Sequence, residues 1–471
     1  MPRPRFHRGK HHGISPPFTV DRIDRQGSVF APSISQAAGT TFGPTSGAQW
    51  VRDNAGPRGS ITEPVAAHTT MVPANSVTAN QTLLTNDATG VIWWPKGTYA
   101  MTTTGYSIKA GLVNHLETGP LRTASDTAIL DMSGTTTDVV QVAGANVEWH
   151  GGIIEGGAWG MRGMPGGVND NFLIEDAELR YASESNFAGG ASDGSNNQVG
   201  LTVQYCLFHH GGQHNVHLIY VDNMTYEHNE SHDGNANHEE GTPPPDRTPN
   251  DEGSVKLLHV SGLVYRYNYS HDNDGSDWFD TNVSNCTIDE NVLENNQMTG
   301  IFCEANDNVI IQRNYFKDNM LTGPGGDWTY GPYCHNLNIS RSDNVEVTLN
   351  DFYMTDAVTY LHAGDIMVRY QTGLTGLRVH HNRFSKTFIP SGDDHGGFIT
   401  MHNSEVQAAY AVSDNTYDYN EYHVLAAQSG ADHFHRAGDD DRTWAEWQAG
   451  NSAPYAGSSF YDPNGTFTAD L

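Results

Sequence analysis

Lys256, Asp280 and Glu304 stand 24 residues apart, twice in succession. A cation and two carboxylates brought to one place are parts for acid–base catalysis, for metal binding or for an ion-pair ladder. Trp278 and Phe302 each lie two residues before one of the acids. Aromatic faces bind the apolar faces of sugar rings, and carboxylates bind sugar hydroxyls. Two carboxyl groups one strand apart cannot both ionise freely, so one pKa is expected to rise, as suits a general acid. Glycosidase carboxyl pairs lie roughly 5–5.5 Å or 6.5–9.5 Å apart, and neighbouring strands can supply such a pair. Asp280 and Glu304 are therefore the expected working pair, with Lys256 electrostatic. Trp278, Phe302 and His217 are the expected substrate-binding residues. The competing reading is structural: Lys256 neutralises Asp280, and the column is a salt-bridge ladder.

Such residues meet only if the backbone winds at constant pitch. Asn268, Asn291 and Asn314 also recur, 23 residues apart. A fixed period of this length in strand-like rows marks a solenoid, each repeat one coil. Residues of equal phase then stack about 4.8 Å apart. The rows starting at 215 and 254 align without gaps, which sets His217 on Lys256. Val216, Val255, Phe279 and Cys303 precede the members of this column; Leu218, Leu257, Thr281 and Ala305 follow them. Apolar and small neighbours on both sides imply that the neighbours face inward and that the column faces out. Trp278 and Phe302 are then expected to be exposed beside the carboxylates.

The 471 residues include 50 Gly, with only 17% charged. Asn and Asp punctuate short apolar triplets, which suits many short strands and predicts an all-β chain. A net charge of −30 argues against nucleic-acid partners. No apolar run reaches the roughly 18 residues of a membrane span. The start MPRPRFHRGKHHG is basic but lacks an apolar segment, so it does not read as a secretory signal. Cys206, Cys286, Cys303 and Cys334 form no CxxC and read as buried thiols.

Taken in order, residues 1–50 read as an extended or docking arm. Residues 51–90 read as an N-terminal cap region, 91–420 as ten or more coils, and 421–471 as a C-terminal cap and tail. The coils align on an apolar stretch ending in a small residue or Asn: Gly152, Asp176, Cys206, Asn229, Asn268, Asn291, Asn314, Asn350, Asn382 and Asn415. The Asn column is expected to form an amide ladder. Two insertions, 235–251 and 321–335, fall just before the charged column and are expected to wall a groove. RTWAEWQA, 442–449, reads as a short capping helix.

Other polar clusters carry less. His209, His210, His214 and His217 have metal-like spacing but are split between a turn and both faces of a strand. Asp272, Asp274 and Asp277 resemble the acidic spacing of a calcium loop, but its Gly and terminal Glu are misplaced and no helices flank it. A turn is the favoured reading for them, with calcium as a candidate ligand; no cofactor is required.

The runs EGSVKLLHVSGLVYRYNYSHDNDGSDWFDTN and TGIFCEANDNVIIQRNYFKDN resemble bacterial and phage right-handed parallel β-helix repeat proteins of the pectate-lyase-like superfamily. Lys256, Trp278, Asp280 and Glu304 match the rows of that family residue by residue. Asp277 stands where a Leu or Ile is usual, and Ser276 where a Gly is. The resemblance spans about 91–450 and implies a right-handed β-helix. It is weak for activity, because the superfamily includes lyases, hydrolases, epimerases and binding proteins. The expected function is a phage-tail protein that contacts host-surface polysaccharide, extending to glycan cleavage. Its arm would join other virion tail proteins, and homo-oligomerisation is a further expectation. The alternatives are a secreted polysaccharide lyase or glycoside hydrolase, and a structural solenoid without ligand.

Overall fold

The computed structural model describes residues 46–163, 169–190, 196–235, 253–320, 335–355, 358, 364–369, 374–387, 397–402, 415–425, 434–436, 440–449 and 462–469. Three short strands recur in each coil and stack in parallel on the coils before and after. One face is a parallel sheet of 13 strands among the described residues, from Gly97–Ala100 to Thr466–Ala469. The other two faces join into one 27-stranded sheet, because strands such as His214–Asp222 run unbroken across both. One of these two faces positions the candidate site. Its strands include β1 (His214–Asp222), β2 (Gly253–Ser261), β3 (Ser276–Asp280), β4 (Ile301–Glu304) and β5 (His335–Ser340). The architecture is the all-β parallel solenoid expected from the 23–24-residue period.

A single apolar core runs the length of the solenoid, from Met71 to Trp447. Rings stack within it: Phe316, Phe352, Phe384 and Tyr422 follow one another at 4.8, 4.9 and 5.0 Å. Cys206, Cys286 and Cys303 are buried free thiols, as expected, while Cys334 lies outside the described residues.

The asparagine ladder forms at a corner. Asn268 donates its side-chain N–H to Asn291 Oδ1 at 2.9 Å, and Asn291 donates likewise to Asn314 at 2.9 Å. Each Oδ1 also accepts the backbone N–H of the Asn one coil earlier, 2.9 Å in both cases. The residue before each Asn is left-handed: Tyr267, Glu290 and Arg313 have φ of 56°, 55° and 55°. A non-Gly residue there costs about 1–2 kcal/mol, which the buried amide bonds offset. At its far end the ladder passes from Asn382 to Asn420, not to Asn415 as expected. Asn415 instead accepts the Leu377 N–H at a different turn. Two Asn-terminated rows stand five residues apart here, and strand pairing of Thr416–Asp418 on Arg378–His380 selects the second.

A second asparagine ladder escaped the sequence reading. Asn273, Asn296, Asn319 and Asn336 are linked by side-chain bonds of 3.0, 2.8 and 2.8 Å, and Asn336 passes the chain to Asp365 at 2.8 Å.

Residues 1–45 lie outside the described residues, but α1 (Ser46–Asn54) is a helix docked on the flank of the 13-stranded face. Ala48 and Val51 pack on Val292 and Tyr315, and Trp50 sets its edge against His228 and Tyr267. Arg52 grips Glu294 with two bonds of 2.8 and 2.6 Å. Burial works against ionisation of Glu294, yet Arg52 holds its carboxyl below the usual range. The chain then runs back along the solenoid: Arg58 lies 3.4 Å over the Tyr205 ring, and Ile61 bridges Thr118. A second helix, α2 (Val77–Asn86), follows, capped by Ser76 accepting the Ala79 N–H. Near the C-terminus, α3 (Trp444–Ala449) forms where RTWAEWQA predicts a helix; Trp447 is buried against Phe434 and Tyr417.

Candidate functional site

Strand parity places the candidate residues on the outer side, as expected. Val255, Leu257, Phe279, Ile301 and Cys303 belong to the core. Lys256, Trp278, Asp280, Phe302 and Glu304 alternate with them and face away from it.

Their register differs from the expected single column. His217 pairs with Lys256, but Lys256 pairs with Trp278, and Leu258 pairs with Asp280. A bulge between Gly253 and Val255 shifts β2 against β3. Counting 24 residues forward from Lys256 assumes equal coil lengths, and this coil is shorter by two on the paired strands. A shift of two preserves the facing of every side chain. The result is two adjacent columns. One reads His217, Lys256, Trp278, Phe302 and Asn338; the other reads Leu258, Asp280, Glu304 and Ser340. Trp278 pairs with Phe302 and Phe279 with Cys303, and the same register one residue on sets Asp280 beside Glu304.

Lys256 reaches Asp280 diagonally, Nζ to Oδ2 at 3.5 Å. The other carboxylate oxygen, Oδ1, accepts the Thr281 N–H at 2.7 Å and the Thr281 hydroxyl at 2.8 Å. Asp280 is thus fixed in orientation from both sides. Lys256 Nζ also lies 3.9 Å from the centroid of the Trp278 ring. Phe302 stacks on Trp278 from the next coil, centroids 5.2 Å apart and planes 26° apart.

This overturns the expected exposure of the aromatics. Trp278 and Phe302 are 7% and 5% exposed, and Lys256 is 4% exposed. Stacked along the solenoid axis, Trp278 has Lys256 against one face and Phe302 against the other, so neither face is open to a sugar ring. Asp280 and Glu304 remain half-buried. The insertions expected to wall a groove, 235–251 and 321–335, lie outside the described residues except for Asn235 and His335.

The remaining polar clusters do not converge. His217 is half-buried, with its ring 4.7 Å from that of His214, while His209 stacks on His232 on the 13-stranded face at 5.0 Å. Asp277 points into the core, where Tyr265 donates to it at 2.7 Å and Ser270 at 3.0 Å. Asp272 bonds to His271 at 2.7 Å on the outside, so the loop carboxylates do not point to one centre. Among the described residues no group of three or more His, Cys, Asp or Glu is placed to hold a metal. Burial pushes the Asp277 carboxyl up to about 7. Its position in the core was readable as a departure: Asp277 occupies a row position where the resemblance has Leu or Ile.

Residues 170–352 match the family model described as right handed beta helix region. No curated protein sequence matches the chain. Among solved structures, the chain is similar to the mannuronan C-5 epimerase AlgE6 A-module of Azotobacter vinelandii. That match has a TM-score of 0.52 at 12% identity, over 83% of this chain and 93% of that one. It is also similar to the Dettilon tailspike protein, TM-score 0.49 at 12% identity, over 79% and 66%. A third is DFA-IIIase from Arthrobacter chlorophenolicus A6 without its lid, TM-score 0.40 at 14% identity, over 77% and 92%. At such identities the likeness is one of fold: a right-handed parallel β-helix. Among the described residues no helix is long and apolar enough to cross a membrane.

Proposed function

We propose that this right-handed β-helix binds polysaccharide on its outer face, with Asp280 and Glu304 as the working pair. The observation that carries the reading is their placement: two half-buried carboxyls on neighbouring coils, one held by Lys256 at 3.5 Å. Asp280, engaged on both oxygens, acts as the oriented anion. Glu304 is the partner that exchanges a proton if the bound glycan is cleaved. Strands stack about 4.8 Å apart, close to the about 5–5.5 Å between the carboxyls of retaining glycosidases. Trp278 and Phe302 serve as positioning residues that hold Lys256 in place, and His217 lies one coil further along the same column.

The biological setting we propose is a virion tail that meets host-surface polysaccharide. Arg3, Arg5, Arg8 and Lys10 give the N-terminal segment a charge opposite to that of the chain, which suits attachment to an acidic partner. That segment leads into α1, itself clamped to the solenoid by Arg52 and Glu294. Co-purification with particles tests the setting.

The site is tested with Asp280→Asn and Glu304→Gln on an immobilised glycan panel, followed by assay of released fragments. Both variants should bind at least about tenfold more weakly, since a charge-assisted hydrogen bond contributes about 1.5–3 kcal/mol. Reducing ends alone would indicate hydrolysis, and unsaturated ends elimination. Unchanged binding and cleavage in both variants would sink the assignment.

A further inference from the structure

The stretch 46–61 lies as a strap over several coils, from α1 on Tyr315 to Ile61 on Thr118, and one histidine sits beneath it. His228 is stacked between Tyr205 and Tyr267, with ring centroids 4.6 and 4.8 Å away. Trp50 of α1 sets its edge against the same ring at 5.8 Å, and Gly56 donates its N–H to the His228 carbonyl at 2.8 Å. The His228 Nδ1 atom is buried and has no hydrogen-bond partner among the described residues. An imidazolium carries a proton on both ring nitrogens, and here one of them would find no acceptor. The charges around the ring are already engaged. Arg58 of the strap lies 3.4 Å over the Tyr205 ring, and Arg266 lies 5.5 Å from the Tyr267 ring, so both rings that hold His228 already carry a cation. Glu227 is bonded to Arg266 at 2.6 Å, Asp176 and Glu175 lie 3.3 and 3.4 Å from Arg58, and Glu290 accepts from the Tyr267 hydroxyl. Burial pushes His228 down to about 4; Arg266 and Arg58 add to this, and Glu227 works against it.

We propose that His228 makes the strap an acid-released clamp: protonation of its ring lifts Trp50 and Gly56 off the corner and frees the N-terminal stretch from the solenoid. This stands apart from the polysaccharide reading above. With the strap lifted, water reaches Nδ1 and the ring returns to its ordinary 6.5. The closed form binds the proton more weakly than the open form. Its advantage is therefore complete above about pH 6.5 and is lost as the pH falls towards about 4. The limit of the effect is about 300-fold, tenfold for each unit between the two values. Glu294 pays the cost of burial, yet Arg52 holds it below the usual carboxylate range, so that ion pair survives where His228 titrates. Acid thus reaches the strap through the histidine first.

The test is hydrogen–deuterium exchange of the full chain, read at the peptide covering 46–61, with the pH dependence of free-peptide exchange divided out. Protection in wild type should fall about thirtyfold between about pH 7.5 and about pH 5. His228→Phe keeps an aromatic ring between the two tyrosines and takes no proton, so its strap should be equally protected at both. Flat protection in wild type would overturn the proposal, and so would an equal fall in His228→Phe. Exchange of the His228 ring C2 hydrogen, followed against pH on wild type alone, is a check that does not depend on any variant folding. Its midpoint should lie well below the ordinary 6.5. A midpoint at that ordinary value would also overturn the proposal, because a closed strap would then be indifferent to the proton.

Discussion

Lys256 and Asp280 approach to 3.5 Å on the outer face; Lys386 and Asp365 approach to 3.5 Å inside the solenoid. The chemistry and distance are the same, and the surroundings differ, most of all at the carboxylate. Lys386 and Asp365 have side-chain exposures of 1% and 0%, against 5% and 13% for Lys256 and Asp280. Lys386 shares its strand parity with Phe384 of the core, and its Nζ lies 4.9 Å from the Phe398 ring. Asp365 closes the second asparagine ladder by accepting from Asn336 at 2.8 Å. Burial pushes Asp365 up and Lys386 down, each towards its neutral form. On the outer face, Asp280 keeps two bonds from Thr281 and some contact with water. The contrast separates an ion pair that terminates a structural ladder from one that lies on the outer face, at the proposed site. Distance alone does not tell them apart.

The strongest way to break the comparison is at the inner pair. Asp365→Ala should lower stability by about 3–5 kcal/mol, because it strands Lys386 in the core. The double substitution Asp365→Leu with Lys386→Met should recover most of that loss, since an apolar pair needs no desolvation. Chemical denaturation reads both variants. A single variant as stable as the double would mean that Lys386 does not depend on its partner.

A second test uses two acids on one strand. Asp277 and Asp280 lie three residues apart in β3 and so face opposite ways, one into the core and one out. Burial raises Asp277 to about 7 from 3.8. Between those values the native chain holds a proton that the unfolded chain has released, so stability falls as pH rises through this window. Below about pH 4 the effect is absent; above about pH 7 it reaches its full size, at most roughly 4 kcal/mol. Asp277→Asn removes it. The melting temperature of the variant relative to wild type should therefore climb from about pH 4 to 7 and then level off. A difference that stays flat across this range would mean that Asp277 is charged in the core throughout.

Much of this architecture was legible because it repeats. The 23-residue recurrence of Asn268, Asn291 and Asn314 is the amide ladder itself, and apolar neighbours correctly set the facing of Lys256, Asp280 and Glu304. The second ladder has the same signal, Asn273, Asn296 and Asn319 at 23-residue intervals, and was readable on the same rule. What repetition could not carry was local departure from it. The bulge in β2 slides Lys256 from Asp280 to Trp278, and nothing in residue types marks a two-residue slip that preserves facing. Parity gives the direction of a side chain, not what covers it, so Trp278 and Phe302 were expected to be exposed and are buried. α1 was missed because a single docked helix has no periodic partner in the chain; its signals are Trp50 and Arg52, which anchor it to Tyr267 and Glu294.

The smallest expected effect sharpens the comparison from the outer side. Lys256→Met removes a charge paired at 3.5 Å and a cation over the Trp278 ring at 3.9 Å. A cation over an aromatic contributes about 0.5–1 kcal/mol when exposed and about 2 when desolvated. Asp280 is not stranded by the change, because Thr281 still donates twice to it and its side chain is 13% exposed. The loss of stability should therefore be about 1–2 kcal/mol, well below that of Asp365→Ala. Glycan binding should respond in the reverse order: weakened by Lys256→Met, untouched by the inner double substitution. Equal stability losses at the two pairs, or loss of binding from the inner pair alone, would dissolve the distinction between ladder and site.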